Sequence, residues 1–230
     1  MNTLDQNILH LKCSPLFENL SSKECSMLGE NARYTTYQKG QNIRFKEESV
    51  GHLYFIVSGK VKLCEIDEDG NELIKEILKE NDFFGELAPQ SKSFHFEYVE
   101  AISSRVLVCK IPIAVIKDVM RSNPNFSFDI TSEVWNRYKN IERRFRNVAY
   151  LKDVRTRLIN FFKEWAVTEG ERQGNSVTLK NYLTHKDIAS LICSTRVTVT
   201  SILNELRTSG NIDYSKGQIV ITDINKFKAA

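Results

Sequence analysis

The change of periodicity at Pro112 restricts the fold of this chain more than any other feature of its sequence. Before it, from Tyr37 to Ile111, short runs rich in β-branched and aromatic residues follow one another: LYFIV at 53–57, KVKLCEI at 60–66 and RVLVCKI at 105–111. Turn signals separate them, namely Gly40, SGK at 58–60, and DEDGN at 67–71, where Asp69-Gly70 supplies the positive φ of a tight hairpin. Many short strands with regular turns predict a sandwich or barrel. After Pro112 the stretch from about Asn125 to Val148 contains neither Pro nor Gly, and Val134, Tyr138, Ile141, Phe145 and Val148 recur four and three apart. That spacing predicts a long helix whose apolar seam pairs with a copy of itself or packs on its own domain. Arg137, Lys139, Arg143, Arg144 and Arg146 flank the seam and suit a solvated face. Upstream of the strands, Leu16 to Leu28 reads as helical, with Ser21 or Ser22 as N-cap. Strands grouped before helices predict an α+β chain.

A second compact region is expected from Leu151: a helix at about 152–167, a polar loop TEGERQGNS at 168–176, a strand SVTLKN, two short helices and a hairpin. Thr184 is a good N-cap for a helix holding Ile188, Ala189 and Leu191. Ser194 or Thr195 caps a second one holding Val199, Ile202, Leu203 and Leu206. Two helices joined by ICS read as a helix-turn-helix, and the same pattern also suits two helices packed in an unrelated bundle. In a helix-turn-helix the first turn of the second helix faces away from the core and enters a DNA major groove. Arg196 is the basic residue there, and its planar fork matches guanine O6 and N7. Val197 and the methyl groups of Thr198 and Thr200 suit thymine methyls, while Thr184, Lys186, Thr195 and Thr198 suit phosphates. The segment NIDYSKGQIVITD, with Ser215-Lys216-Gly217 at its tip, reads as a wing hairpin.

Charge agrees with this division of labour. Residues 1–120 carry 14 Lys and Arg against 18 Asp and Glu, whereas residues 121–230 carry 18 against 11, so the second half is the part suited to a polyanion. The start of the chain, MNTLDQNILHLK, has no cationic segment leading into an apolar core, and the longest apolar runs, such as IPIAVI at 111–116, are short. No secretory signal or membrane span is expected, and a cytoplasmic location is. Cys13, Cys25, Cys64, Cys109 and Cys193 are scattered without CxxC spacing, which suggests buried reduced thiols and neither a disulfide framework nor a structural zinc site. The chain has no GxSxG, HExxH or GxxxxGK motif, and its four histidines are dispersed, so no catalytic or metal-ligating constellation is expected.

Several short motifs now stand in a definite order: Gly40, Tyr54-Phe55-Ile56-Val57 with Gly59, FFGEL at 83–87, LTHKDIASLICSTRVTVTSILNEL at 183–206, and GNI at 210–212. Over nearly the full length this resembles the Crp/Fnr transcription regulators, and STRVTVT at 194–200 is similar to the recognition helix of their nitrogen-control branch. The resemblance implies an N-terminal double-stranded β-helix, a jelly-roll-like β-roll of the cyclic-nucleotide-binding type, over 1–122. It further implies a dimerisation helix and hinge over 123–150 and a winged helix-turn-helix over 151–230. It implies a homodimer that binds double-stranded DNA, RNA polymerase as a partner, and a small-molecule effector. In the family's cyclic AMP pocket a Gly-Glu-Leu loop is followed by an Arg and a hydroxyl residue. Here Gly85, Glu86 and Leu87 match, but aligning YVEA at 98–101 puts His95 and Phe96 in the place of that pair. An imidazole and a phenyl ring cannot replace a bidentate guanidinium on a phosphate, so the resemblance does not extend to cyclic AMP. Cys13 and Cys25 do not form the tight cluster an iron–sulfur centre needs, and His10, His52 and His95 are the candidate haem ligands, with no cofactor expected. The competing function is a metabolite-binding regulatory subunit with a β-roll and no DNA binding. Family members related to the cyclic AMP receptor carry Glu and Arg where this chain has Val197 and Ser201, so a different half-site is expected.

Overall fold

The structure is a computed structural model that describes residues 12, 14–45, 51–68, 70, 72–85, 96–150, 153–215 and 217–228. Two compact units divide the chain, Met1–Lys139 and Asn140–Ala230.

Among the described residues, the first unit is built on eight antiparallel strands: β1 (Arg33–Gln38), β2 (Asn42–Phe45), β3 (His52–Ser58), β4 (Lys60–Ile66), β5 (Glu72–Lys79), β6 (Phe83–Gly85), β7 (Phe96–Ala101) and β8 (Arg105–Pro112). They form two four-stranded sheets, β1-β8-β3-β6 and β2-β7-β4-β5. The three strands expected from sequence are β3, β4 and β8. The nearly unbroken apolar character of LYFIV and VLVCKI has a simple cause: the first sheet is covered on both faces. Leu53, Phe55, Cys109 and Ile111 pack against helices α1 (Ser22–Asn31), α2 (Ile113–Ser122) and the start of α3 (Pro124–Tyr150) through Leu28, Ile116, Val119, Phe126 and Ile130. The alternate residues Tyr54, Ile56, Val106 and Val108 meet Val61, Leu78, Val99 and Ala101 of the second sheet. Each large side chain buried in this way contributes roughly 1.5–3 kcal/mol. Gly59, the single residue between β3 and β4, has φ 90°, and a Cβ there would lie 2.6 Å from the Arg105 carbonyl oxygen, so only glycine fits.

The N-terminal helix differs from expectation. Leu16 belongs to a short 3₁₀ turn, Pro15–Phe17, and α1 starts only at Ser22. The reason is a capping box: the Ser21 amide donates to Glu24 Oε2 at 2.8 Å and the Glu24 amide donates to Ser21 Oγ at 3.3 Å, which restarts the chain as a helix. Helix α2 was not foreseen, because IPIAVI is too short to show a period; Pro112, with φ −59°, sits at its N-cap. The long helix runs slightly beyond both expected ends, and the chain's division at Lys139 and Asn140 falls within it.

The second unit contains α4 (Val154–Glu169), the four-stranded antiparallel sheet β11-β12-β10-β9, and two short helices, α5 (His185–Leu191) and α6 (Arg196–Thr208). Its strands are β9 (Glu171–Gln173), β10 (Ser176–Lys180), β11 (Ile212–Tyr214) and β12 (Gln218–Ile221). The polar segment 168–176 is therefore not all loop, since β9 pairs with β10. Leu158, Phe162, Val177, Leu179, Ile188, Val199, Leu203 and Ile219 are buried in this unit. Cys25, Cys64 and Cys109 are buried free thiols, as expected, but Cys193 is exposed because it lies in the turn between α5 and α6.

Candidate nucleic-acid interface

Helix α5 begins with a complete capping box. Thr184 Oγ1 accepts from the Asp187 amide at 3.1 Å, and the Thr184 amide donates to Asp187 Oδ2 at 2.8 Å. The Thr184 hydroxyl proton is also committed, to Asp187 Oδ2 at 2.7 Å, so this residue serves by fixing the first turn of α5. The tight turn that follows is 192–195. Cys193 adopts φ 51°, which costs about 1 kcal/mol for a residue with a Cβ. Two arginines offset that cost by satisfying the terminal carbonyls of α5: Arg144 Nε donates to Leu191 O at 3.0 Å, and Arg157 donates to Ile192 O at 2.9 Å and to Cys193 O at 3.0 Å.

Thr195 caps α6 by accepting from the Thr198 amide at 3.1 Å, and the two hydroxyls lie 2.9 Å apart. The first turn of α6 then points outward. Arg196 is exposed, Val197 is 79% exposed, Thr195 and Ser201 are exposed, and Lys186 is exposed at the start of α5. Val199, Ile202, Leu203 and Leu206 hold the opposite face in the core. A helix whose leading turn carries a cation, an exposed valine and short hydroxyls is suited to base edges and phosphates of a major groove. The hairpin of β11 and β12 supplies the wing; Lys216 at its tip lies outside the described residues. His185 shows a depressed pKa, first because burial disfavours its charge and second because Arg196 is near. Arg144, expected on a solvated face, is instead a partner of the Leu191 carbonyl, and no local pattern marks His185 or Arg157; the partners of His185, Arg144 and Arg157 lie 15, 47 and about 35 residues away.

The expected seam of α3 is exposed to solvent: Val134, Tyr138, Ile141 and Phe145 are 44%, 54%, 51% and 70% accessible, and Val148 is half-buried. Arg137 departs from the solvated role expected of it. Its Nε donates to Glu76 Oε2 at 3.1 Å and its Nη1 to the Phe83 carbonyl at 2.6 Å, tying α3 to β5 and β6.

Of the expected effector pocket, Glu86, Leu87 and His95 lie outside the described residues, as does the side chain of Phe96, whose backbone opens β7. Gly85 ends β6 with φ 123°, and a Cβ there would lie 2.6 Å from the His52 carbonyl oxygen. The second sheet carries ion pairs: Lys75 with Glu65 at 3.1 Å and with Glu97, and Lys62 with Glu72 at 2.7 Å and Glu100 at 3.4 Å. Burial pushes the Cys64 thiol up to about 12, so it is inert. His52 has a buried Nδ1 without a hydrogen-bond partner among the described residues, and burial, then Lys110, lowers its pKa. His10 lies outside the described residues, among which no group of three or more His, Cys, Asp or Glu is placed to hold a metal ion. No helix among them is long and apolar enough to cross a membrane.

Residues 34–123 match the cyclic nucleotide-binding domain family, and residues 156–230 match the Crp-like helix-turn-helix domain family. The chain belongs to the Crp/Fnr family of transcription regulators. It is 29% identical over 188 residues to the global nitrogen regulator of Nostoc sp., covering 81% of this chain and 83% of that protein. It is 23% identical over 213 residues to the CRP-like cAMP-activated global transcriptional regulator of Mycobacterium tuberculosis, covering 90% and 92%. Among solved structures, a CooA mutant from Carboxydothermus hydrogenoformans is similar with TM-score 0.73 and 20% identity over 97% of this chain and 94% of that one. FixK2 from Bradyrhizobium japonicum is similar with TM-score 0.72 and 19% identity over 86% and 98%. As a Crp/Fnr protein the chain is a DNA-binding transcription regulator with a cyclic-nucleotide-binding-like domain, not an enzyme.

Proposed function

We propose that this Crp/Fnr regulator acts as a cytoplasmic homodimer that reads a pseudo-palindromic DNA site, with Arg196 contacting a guanine in each half-site. The observation that carries this reading is the exposed first turn of α6, where Arg196 and Val197 project from a helix anchored by Val199, Ile202, Leu203 and Leu206. Val197 supplies an apolar contact, and Lys186, Thr195 and Thr198 meet phosphates, with Thr184 holding the first turn of α5. The solvent exposure of Val134, Tyr138, Ile141 and Phe145 along α3 supports a dimer in which this seam, with Val148, pairs with its copy and brings two such recognition helices together. The functional segments are 1–122, 123–150 and 151–230, and RNA polymerase is the protein partner in transcription.

The effector of the β-roll is not cyclic AMP, because His95 and Phe96 stand where the phosphate-holding pair is needed. Similarity to global nitrogen regulators makes a GTA-like half-site the first to try, with Ser201 the residue that departs from their pattern. The test compares two variants on the selected site. Arg196→Ala is expected to cost about 1–3 kcal/mol per half-site and to relax preference at the guanine, while Lys186→Ala weakens binding to all sequences and reduces the salt slope by about one. Uniform loss of affinity with an unchanged consensus in Arg196→Ala would make it a phosphate contact and remove the base-reading assignment.

A further inference from the structure

His185, the first residue of α5, joins three elements of the second unit. Its Nδ1 lies 2.8 Å from Thr200 Oγ1 on α6. Its ring meets that of Tyr214 on β11 edge-on, with centroids 5.2 Å apart, and the Tyr214 oxygen accepts from the Asn181 amide at 3.0 Å. Thr200 Oγ1 is also 2.8 Å from the carbonyl oxygen of Arg196, one turn back on α6.

The proton count settles the direction of these bonds. A carbonyl only accepts, so the Thr200 hydroxyl donates to Arg196 O, and a hydroxyl has one proton. The contact with His185 is therefore made by a proton on Nδ1. The result is a directed chain from Nδ1–H to Oγ1–H to the Arg196 carbonyl. Because Thr200 is β-branched, its χ1 is stiff, and both ends of the chain hold it in place. With its pKa depressed below the usual histidine value, first by burial and then by Arg196, the imidazole is neutral at neutral pH and its single proton sits on Nδ1.

We propose that His185, as the Nδ1–H tautomer, is a positioning residue for base reading: through Thr200 it fixes the backbone turn from which Arg196 projects. This rests on the assignment of Arg196 as the guanine contact. A bidentate contact tolerates only about 0.5 Å of displacement, whereas a phosphate contact tolerates far more, so loosening this turn removes specificity before affinity.

The experiment uses the full chain with Thr200→Val, Thr200→Ser, His185→Ala and His185→Asn. Binding is measured to the selected site and to the same site with the guanine pairs replaced, at two salt concentrations. Thr200→Val and His185→Ala are each expected to lower discrimination about five-fold, with non-specific affinity and salt slope unchanged. Thr200→Ser and His185→Asn, which keep the hydroxyl and a donor near the Nδ1 position, retain it. Nitrogen-15 spectra of the imidazoles give an independent readout, with His185 neutral and protonated at Nδ1. An Nε2–H tautomer overturns the inference, as does unchanged discrimination in Thr200→Val, an isosteric change that spares the fold. Equal loss on both DNA sites, which a purely structural role would give, overturns it too. If Arg196→Ala abolishes discrimination while these variants keep it, only the role of His185 fails; if Arg196→Ala keeps it, the base-reading assignment fails and the inference with it.

Discussion

Replacing Ile141 and Phe145 by Glu separates dimerisation from folding, because both side chains are exposed in the single chain, 51% and 70% accessible. Full burial of a large apolar side chain is worth about 1.5–3 kcal/mol, so covering the accessible fractions of Val134, Tyr138, Ile141 and Phe145 yields about 1–1.5 kcal/mol each. Across a two-fold axis these four residues from each helix provide roughly 10 kcal/mol of gross stabilisation, against an association cost of about 4–15 kcal/mol. The double substitution removes about half of the apolar contribution and opposes carboxylates across the axis, so the dimer is expected to dissociate at micromolar concentration. Surface substitutions of this kind change monomer stability by only about 0.5 kcal/mol, so the thermal transition of the β-roll should persist. Size-exclusion chromatography with light scattering reads the mass. A monomeric wild-type chain at about 10 μM, near the range where a dissociation constant of 1 μM gives mostly dimer, would refute the reasoning. A double variant that remains dimeric would place the interface elsewhere.

Arg137→Met leaves the Glu76 carboxylate and the Phe83 carbonyl without their guanidinium, and should lower stability by about 3 kcal/mol in denaturant titration; adding Glu76→Met should recover part of it. His52 and His185 both have depressed pKa values, so the unfolded chain binds more protons below its ordinary histidine pKa. Stability contributed by these groups is therefore present above about pH 6.5 and lost on acidification toward pH 5, and the melting temperature should fall over that range, less steeply in His185→Asn. Calorimetric titration with cyclic AMP should show no binding; a micromolar dissociation constant, about −8 kcal/mol, would mean that other groups replace the missing pair.

Local chemistry made the second unit readable. Caps at Thr184 and Thr195 bound two short amphipathic segments, and that pair of signals suffices to orient Arg196 outward. The strands β3 and β8 were legible for a similar reason, since burial on both faces leaves an unbroken apolar run. Strand β5 was not: its alternation is broken by a register shift opposite Leu63 and Cys64, and ELIKEILK mixes charges with apolar residues. The roles of Arg137, Arg144 and Arg157 were illegible because each answers a backbone carbonyl brought near by tertiary structure, 54, 47 and 35 residues away. A carbonyl carries no sequence signal. His185 was hidden for the same reason, since its meaning depends on where Thr200 sends its one proton.

A binding selection on random double-stranded DNA with the full wild-type chain tests the central claim most directly. The expected product is an inverted repeat whose half-site centres lie about 34 Å, or roughly 10 base pairs, apart, with a guanine at the symmetry-related position of each half. Enrichment of a single unrepeated motif, or no enrichment above non-specific binding, would contradict it.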